Sequence, residues 1–165
     1  MALLSRVADR MYWAARYIER AEDSARVLRA YGDVLADLPT GSTRWSPLVT
    51  ISGNGVKLPA VSGSDESQVA QFLIAEREHP DSILNAVDRS RDDLRTCREV
   101  LPREAWQTIN DLSIYVRGAA VTSVERRRRD RFLTRVIDES RRLYGVMQST
   151  MTRDEVFEMW RLGRY

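Results

Sequence analysis

Residues 3–37 carry an apolar seam that no proline interrupts, and this seam sets the terms for everything else in the chain. Leu4, Val7, Met11, Ala14, Ile18, Ala21, Ala25, Leu28, Gly32 and Leu35 recur alternately three and four residues apart. That is a heptad pattern held for more than four repeats, which predicts one long amphipathic helix closed by Pro39. Its middle is small: Ala14, Ala21 and Ala25 stand where Leu or Ile is usual. Small seam residues admit a second helix at close range, so tight helix–helix packing is expected there.

The rest of the chain follows the same period. Residues 39–64 are rich in Pro, Gly, Ser and Thr and read as a loop; Trp45, Leu48, Val49 and Ile51 form one short apolar patch within it, enough for a single short helix. Helical character returns over 65–76. His79-Pro80-Asp81-Ser82 reads as a helix entry with Pro at the first helical position. The apolar face that follows runs through Ile83, Leu84, Val87, Leu94, Cys97 and Leu101. Pro102 starts the next helix, and residues 125–149 form another. Thr152-Arg153-Asp154-Glu155 is a capping-box pattern opening a final helix. No segment shows sustained strand alternation. The predicted fold is all-α, a bundle of five to seven helices with a long N-terminal helix, in a single domain over residues 1–165.

Composition narrows the class. The chain has 165 residues, 43% of them apolar and 30% charged, ordinary values for a helical protein able to bury a core. With 26 basic and 24 acidic residues the formal charge is only +2, so no polyanion partner is implied. Lys57 is the only lysine. A coding bias explains this for the whole chain; selection for bidentate guanidinium contacts remains the alternative for particular arginines. One cysteine, Cys97, excludes an intrachain disulfide. The first ten residues lack the apolar stretch of a signal peptide, and no apolar run approaches the ~18 residues of a membrane span. The cytoplasm is the expected compartment, with no membrane partner.

The densest chemistry is on the first helix. Arg16, Glu19, Arg20, Glu22, Asp23 and Arg26 lie within three turns. Glu22 and Arg26 are an i,i+4 pair; Arg16 and Glu19 are i,i+3. A solvated face of weak pairs, each worth ~0.2–0.5 kcal/mol, is one reading. Glu19 and Arg20 flank the seam position Ile18, however, and Trp13 and Tyr17 stand on neighbouring turns. A partly buried network is the other reading, in which Glu19 or Arg20 pairs with a charge on another helix. On that reading Arg20→Ala costs on the order of 3 kcal/mol. Burial separates structure from site: a Glu–Arg pair enclosed by Trp13 and Tyr17 is structural, and one open in a cleft is a site. The candidate polar motif is Arg16, Glu19, Arg20 and Glu22.

The run Arg126-Arg127-Arg128-Arg129, with Arg131, is a candidate anion contact. Glu125 and Asp130 bracket it and no aromatic is interleaved for base stacking, so nucleic-acid binding is disfavoured against a solvated helix start or an acidic partner surface. Catalytic signals are poor. A single histidine, His79, leaves the Glu-x-x-His pairs of di-iron bundles and the H-E-x-x-H zinc motif incomplete, and Cys97 on an apolar face reads as an inert thiol. No P-loop or dinucleotide fingerprint is present. No catalytic residue, metal ligand or cofactor is assigned.

The chain also ends as its opening motif begins again. With Met159 set on Met11, Gly163 falls on Ala15, Arg164 on Arg16 and Tyr165 on Tyr17. The expectation is a two-fold internal repeat, of which these residues are about half. The final helix would then pack on residues 3–37, and in this chain the seam of Ala14, Ala21 and Ala25 would lack its partner. Self-association, or binding of a separate chain, through the first and last helices is the predicted consequence.

The blocks L-L-S-R-V-A-D-R-M-Y-W-A-A-R-Y-I-E-R-A-E-D-S-A-R, H-P-D-S-I-L-N-A-V-D-R-S-R-D-D-L-R-T, R-E-A-W-Q-T-I-N-D-L and T-M-T-R-D-E-V-F-E-M-W-R-L-G-R-Y together span the sequence. In combination they resemble the bacterial alpha-E domain family, also called DUF403, all-α proteins named for a Glu-Arg motif. Members are usually about twice this length, and Ala15 stands where they commonly have glycine. The resemblance implies a genomic setting beside a circularly permuted ATP-grasp ligase-like protein and a transglutaminase-like protein, and so a role in forming or processing a peptide or amide bond. It carries over no catalytic residues. Three functions stand open: a non-catalytic scaffold or partner of such a system, an enzyme component binding a peptide or anionic substrate at the Arg/Glu motif, and a nucleic-acid binder through residues 126–131.

Overall fold

The structure, a computed structural model, describes residues 2–38, 45–52 and 66–165. The long loop expected within 39–64 lies mostly outside them. Ala2–Ala36 form one 35-residue helix, α1, as the uninterrupted seam requires. The short apolar patch becomes α2 (Ser46–Ser52), followed by α3 (Glu66–Ile74), α4 (Ile83–Thr96), α5 (Arg103–Ala119), α6 (Arg126–Thr150) and α7 (Glu155–Arg164). Turns of 3-10 helix at Arg98–Val100 and Thr122–Val124 link the middle helices. The described residues are thus all-α, with seven α-helices.

Two helix starts differ from expectation. Pro80 and Asp81 precede α4, and Ser82 is the residue that caps it. Its hydroxyl accepts from the Asn85 amide at 3.3 Å, satisfying one donor that the first helical turn leaves free. The Asn85 side chain in turn donates to the carbonyls of Glu76, Arg77 and His79, closing the connection from α3. At α7 the cap is Asp154, not Thr152. Its carboxylate accepts from the Phe157 amide at 3.0 Å. Asp154 is extended and already competent as a cap, so the helix begins two residues later than the capping-box pattern places it. Acids in the first turn of α7 (Glu155, Glu158) and arginines in the last (Arg161, Arg164) suit the helix dipole.

Helix α1 is the axis of the molecule. It packs against α4, α6 and α7, while α5 covers α4 and α6 from the far side. Ala14, Ala21 and Ala25 are fully buried beneath these helices, within the chain itself. This overturns the expectation that the small-residue seam lacks a partner, and with it the argument for self-association through that seam. The close approach is visible chemically. Ser90 of α4 donates to the Ala14 carbonyl at 2.9 Å in the interior, which a large seam residue would prevent.

The contact with α7 is closer still. A Cβ on Gly163 would collide with the Tyr12 carbonyl and lie 2.9 Å from the Ala15 Cβ. Gly163 and Ala15 are the positions that coincide when the end of the chain is set on its start, so equivalent residues of the two helices meet at the crossing. Trp160, one turn earlier on α7, is buried, as are Phe132, Ile109 and Leu112 in the α5–α6 layer. Among the described residues, no helix is long and apolar enough to cross a membrane.

Candidate functional site

The Arg/Glu motif of α1 divides between two surroundings. Residues three and four apart on a helix share a face, so Glu19 and Glu22 point together towards α6 and α7. Glu22 is only 1% exposed. Its carboxylate accepts from Nε of Arg141 on α6 at 3.1 Å, and guanidinium nitrogens of Arg26 and Arg164 lie 3.7 Å away. Arg164 on α7 also pairs with Glu19 at 3.1 Å. Its guanidinium lies 3.8 Å from the centre of the Tyr144 ring, a cation–π position that holds it in place. One arginine from α7 therefore bridges two acids of α1, and one from α6 binds the more deeply buried acid. Three helices meet at this clasp. Burial pushes the Glu19 carboxyl above the ordinary glutamate range; Arg164 opposes that rise, and Asp23 and Glu22 add to it.

The other side of the motif opens into a cleft of about 300 Å³ between α1, α2, α3 and the turn before α4. Arg16, Arg20, Asp23 and Val27 line it as one stripe, four, three and four residues apart, and Glu19 also lines it from its edge on the clasp side. Val27, Ile51 of α2 and Leu73 of α3 are its apolar lining residues, and Ser24 adds a hydroxyl. Arg20 forms an ion pair with Asp81, so the cap region of α4 is tied to α1. Arg16 and Asp23 have no ion-pair partner among the described residues. Trp13 and Tyr17 do not enclose the Glu19–Arg20 pair, and both of its residues line the cleft, the arrangement expected of a site rather than of a purely structural pair. Trp13 is 42% exposed and stacks on Tyr17 at 5.9 Å, and Tyr17 faces Arg89. Residues 13 and 17 lie on the stripe next to Arg16 and Arg20, turned away from the cleft wall, and the ring that grips a motif partner is Tyr144.

The basic run is also divided. Arg129 is buried, donating to Glu66 at 2.7 Å and to the Val124 carbonyl at 2.6 Å, with its guanidinium over Trp45. As a candidate anion contact Arg129 is therefore corrected: it fastens α6 to Glu66 of α3 and packs on Trp45, the residue before α2, and its charge is already matched. Arg126, Arg127, Arg128 and Arg131 are exposed, with Arg128 beside Glu125 at 3.7 Å. Cys97 is buried, and burial pushes its thiol above the usual range, away from nucleophilic character. His79 is buried in a stack on Phe72 at 4.1 Å, and neither ring nitrogen has a hydrogen-bond partner among the described residues. Among the described residues, no three His, Cys, Asp or Glu side chains gather as a metal site.

Sequence reasoning did not single out Arg141, Tyr144 or the role of Asp81. Asp81 read only as part of a helix entry, and its partner is far away in sequence. Arg164 carried a signal through its coincidence with Arg16; Arg141, one of several arginines on α6, carried none.

The sequence has a counterpart among known families. A family model named Alpha-E, described as a predicted alpha-helical domain with a conserved ER motif, matches residues 3–165. No curated protein and no solved structure matches the chain. The match covers nearly every residue, and the Glu-Arg dipeptide at 19–20 is where α1 meets both clasp and cleft. The chain belongs to the Alpha-E family.

Proposed function

We propose that this domain is a non-catalytic helical scaffold: a cytoplasmic partner protein of an ATP-grasp-like and transglutaminase-like system that forms or processes peptide or amide bonds. The observation that carries the reading is the destination of the motif's acids. Glu19 and Glu22 are held by guanidinium groups from other helices, in a clasp that joins α1, α6 and α7. A general acid or base must reach the proton it moves in a substrate. Carboxylates bound in this way instead fix the relative positions of three helices, as a rigid partner surface requires. The buried thiol of Cys97 and the enclosed ring of His79 are similarly placed for packing.

The test is capture of the tagged chain from native cells, read by mass spectrometry. Enrichment of an ATP-grasp-like protein and a transglutaminase-like protein supports the proposal. Recovery of the chain with neither, from cells that express both, overturns it.

A second reading is favoured by one feature, the cleft beside the clasp. Arg16 lines it with no ion-pair partner among the described residues, so a component that binds a peptide or anionic substrate also fits. The third, nucleic-acid binding through residues 126–131, loses Arg129 to the interior and retains only exposed arginines next to Glu125 and Asp130.

A further inference from the structure

We propose that the α1 cleft binds a short free peptide of about three residues, reading both of its charged ends and an apolar first side chain. The inference deepens the peptide-modifying setting proposed above by naming what the cleft holds. It starts from the order of groups along one helical stripe. Arg16 stands at one end, the Arg20–Asp81 pair in the middle, Asp23 beyond it and Val27 at the far end, with Ile51 and Leu73 as the other apolar lining residues. A cation, a neutralised pair, an anion and an apolar wall therefore succeed one another.

The two charges without ion-pair partners among the described residues are of opposite sign and seven residues apart. At 1.5 Å per residue their Cα atoms lie roughly 10 Å apart. A peptide of three residues spans at most about 10–11 Å when extended. Its C-terminal carboxylate reaches Arg16, in the bidentate geometry that a guanidinium offers. Its N-terminal ammonium reaches Asp23, and the side chain of its first residue lies on Val27 and Ile51. Val27 is 41% and Ile51 72% exposed, apolar surface that such a side chain would cover. Between the two ends, the backbone amides need partners. The Arg20–Asp81 pair supplies N–H donors and carboxylate acceptors, and Ser24 supplies a hydroxyl.

Other ligand classes fit less well. A free amino acid holds its charges too close together to meet both Arg16 and Asp23. A nucleotide or other polyanion meets Asp23 and Asp81 with only Arg16 left to receive it. The cleft's own charges balance, since Arg16 and Arg20 face Asp23 and Asp81 while Glu19 is matched by Arg164. A zwitterion preserves that balance. The volume, about 300 Å³, is at the lower end of the ~300–1,000 Å³ typical of small-molecule sites.

The test is calorimetric titration of the purified chain with Leu-Ala-Ala, its N-acetylated form and its C-amidated form, against wild type, Arg16→Gln and Asp23→Asn. The free peptide is expected to saturate one site, and blocking either end to weaken binding by roughly tenfold or more. Arg16→Gln should weaken the free peptide and erase the penalty of amidation alone. Asp23→Asn should erase the penalty of acetylation alone. Circular dichroism of each variant checks that it is folded. Absence of saturable binding at millimolar peptide overturns the proposal, as does equal binding of all three peptides. Sensitivity to one end only also overturns it, leaving a single-charge site. The titration uses no partner protein, so its failure leaves the capture result standing, and failed capture with intact peptide binding removes the scaffold role alone.

Discussion

At the scale of single residues, the positions that matter most are polar and enclosed. Arg20 shows how exposure moderates an ion pair. Its side chain remains 37% exposed while Asp81 is 11% exposed, so water screens one partner. The cost of Arg20→Ala, on the order of 3 kcal/mol if the pair were buried, is reduced to about 1–2 kcal/mol. A fall in the urea midpoint checks this; an unchanged midpoint would return Arg20 to the surface. His79 makes a pH prediction. Burial lowers its pKa below the ordinary histidine value; Asp81 and Glu76 pull the other way and Arg20 adds to the lowering. The folded state thus holds the ring neutral. The associated stability is fully present above the unfolded pKa of about 6.5 and is lost as pH falls from there through the lowered folded value. Between pH 7.5 and pH 5 the wild type should lose more stability than His79→Leu, whose residue 79 does not titrate. Equal losses in denaturant titrations would show that His79 is not held neutral.

At the scale of elements, the helices were legible in the sequence because period and punctuation agree. The seam of α1 needed only spacing to be read, and its small residues foretold close packing. What covers them was not legible. The covering helices come from residues 83–164, and nothing local to Ala14 or Ala21 names them. Helix starts failed where two capping residues competed: Ser82 and Asp154 each sit beside another plausible start, and backbone geometry decides between them. The α1–α7 crossing yields a prediction at this scale. Gly163→Ala places a methyl group against the Tyr12 backbone, which has no rotamer to move. The helices must part, at a cost of about 1–3 kcal/mol. A thermal midpoint about 2–12 °C lower is expected for a chain of this size. An unchanged midpoint would mean that α7 does not lie so close to α1.

At the scale of the whole molecule, fold class and family were legible, since four motif blocks span the chain and every long periodic segment forms a helix. The division of the motif into clasp and cleft was not. It depends on Arg141, Arg164 and Asp81, which are 119, 145 and 61 residues from their partners Glu22, Glu19 and Arg20. The surface leads to a further prediction. With Arg129 internal and acids beside the remaining arginines, labelled single- and double-stranded DNA should bind only weakly at physiological salt. Submicromolar affinity that weakens steeply with added salt would contradict this. The central claim is that Glu22 holds the fold together while Arg16 faces a ligand. Thermal unfolding of Glu22→Gln beside Arg16→Gln tests it most directly. Removing the charge of Glu22 leaves Arg141 and Arg164 facing a neutral amide, at a cost of about 2 kcal/mol once their exposure is discounted. The account predicts a midpoint about 4–8 °C below wild type for Glu22→Gln and an unchanged midpoint for Arg16→Gln. Equal midpoints for the two variants, or a larger drop for Arg16→Gln, would contradict it.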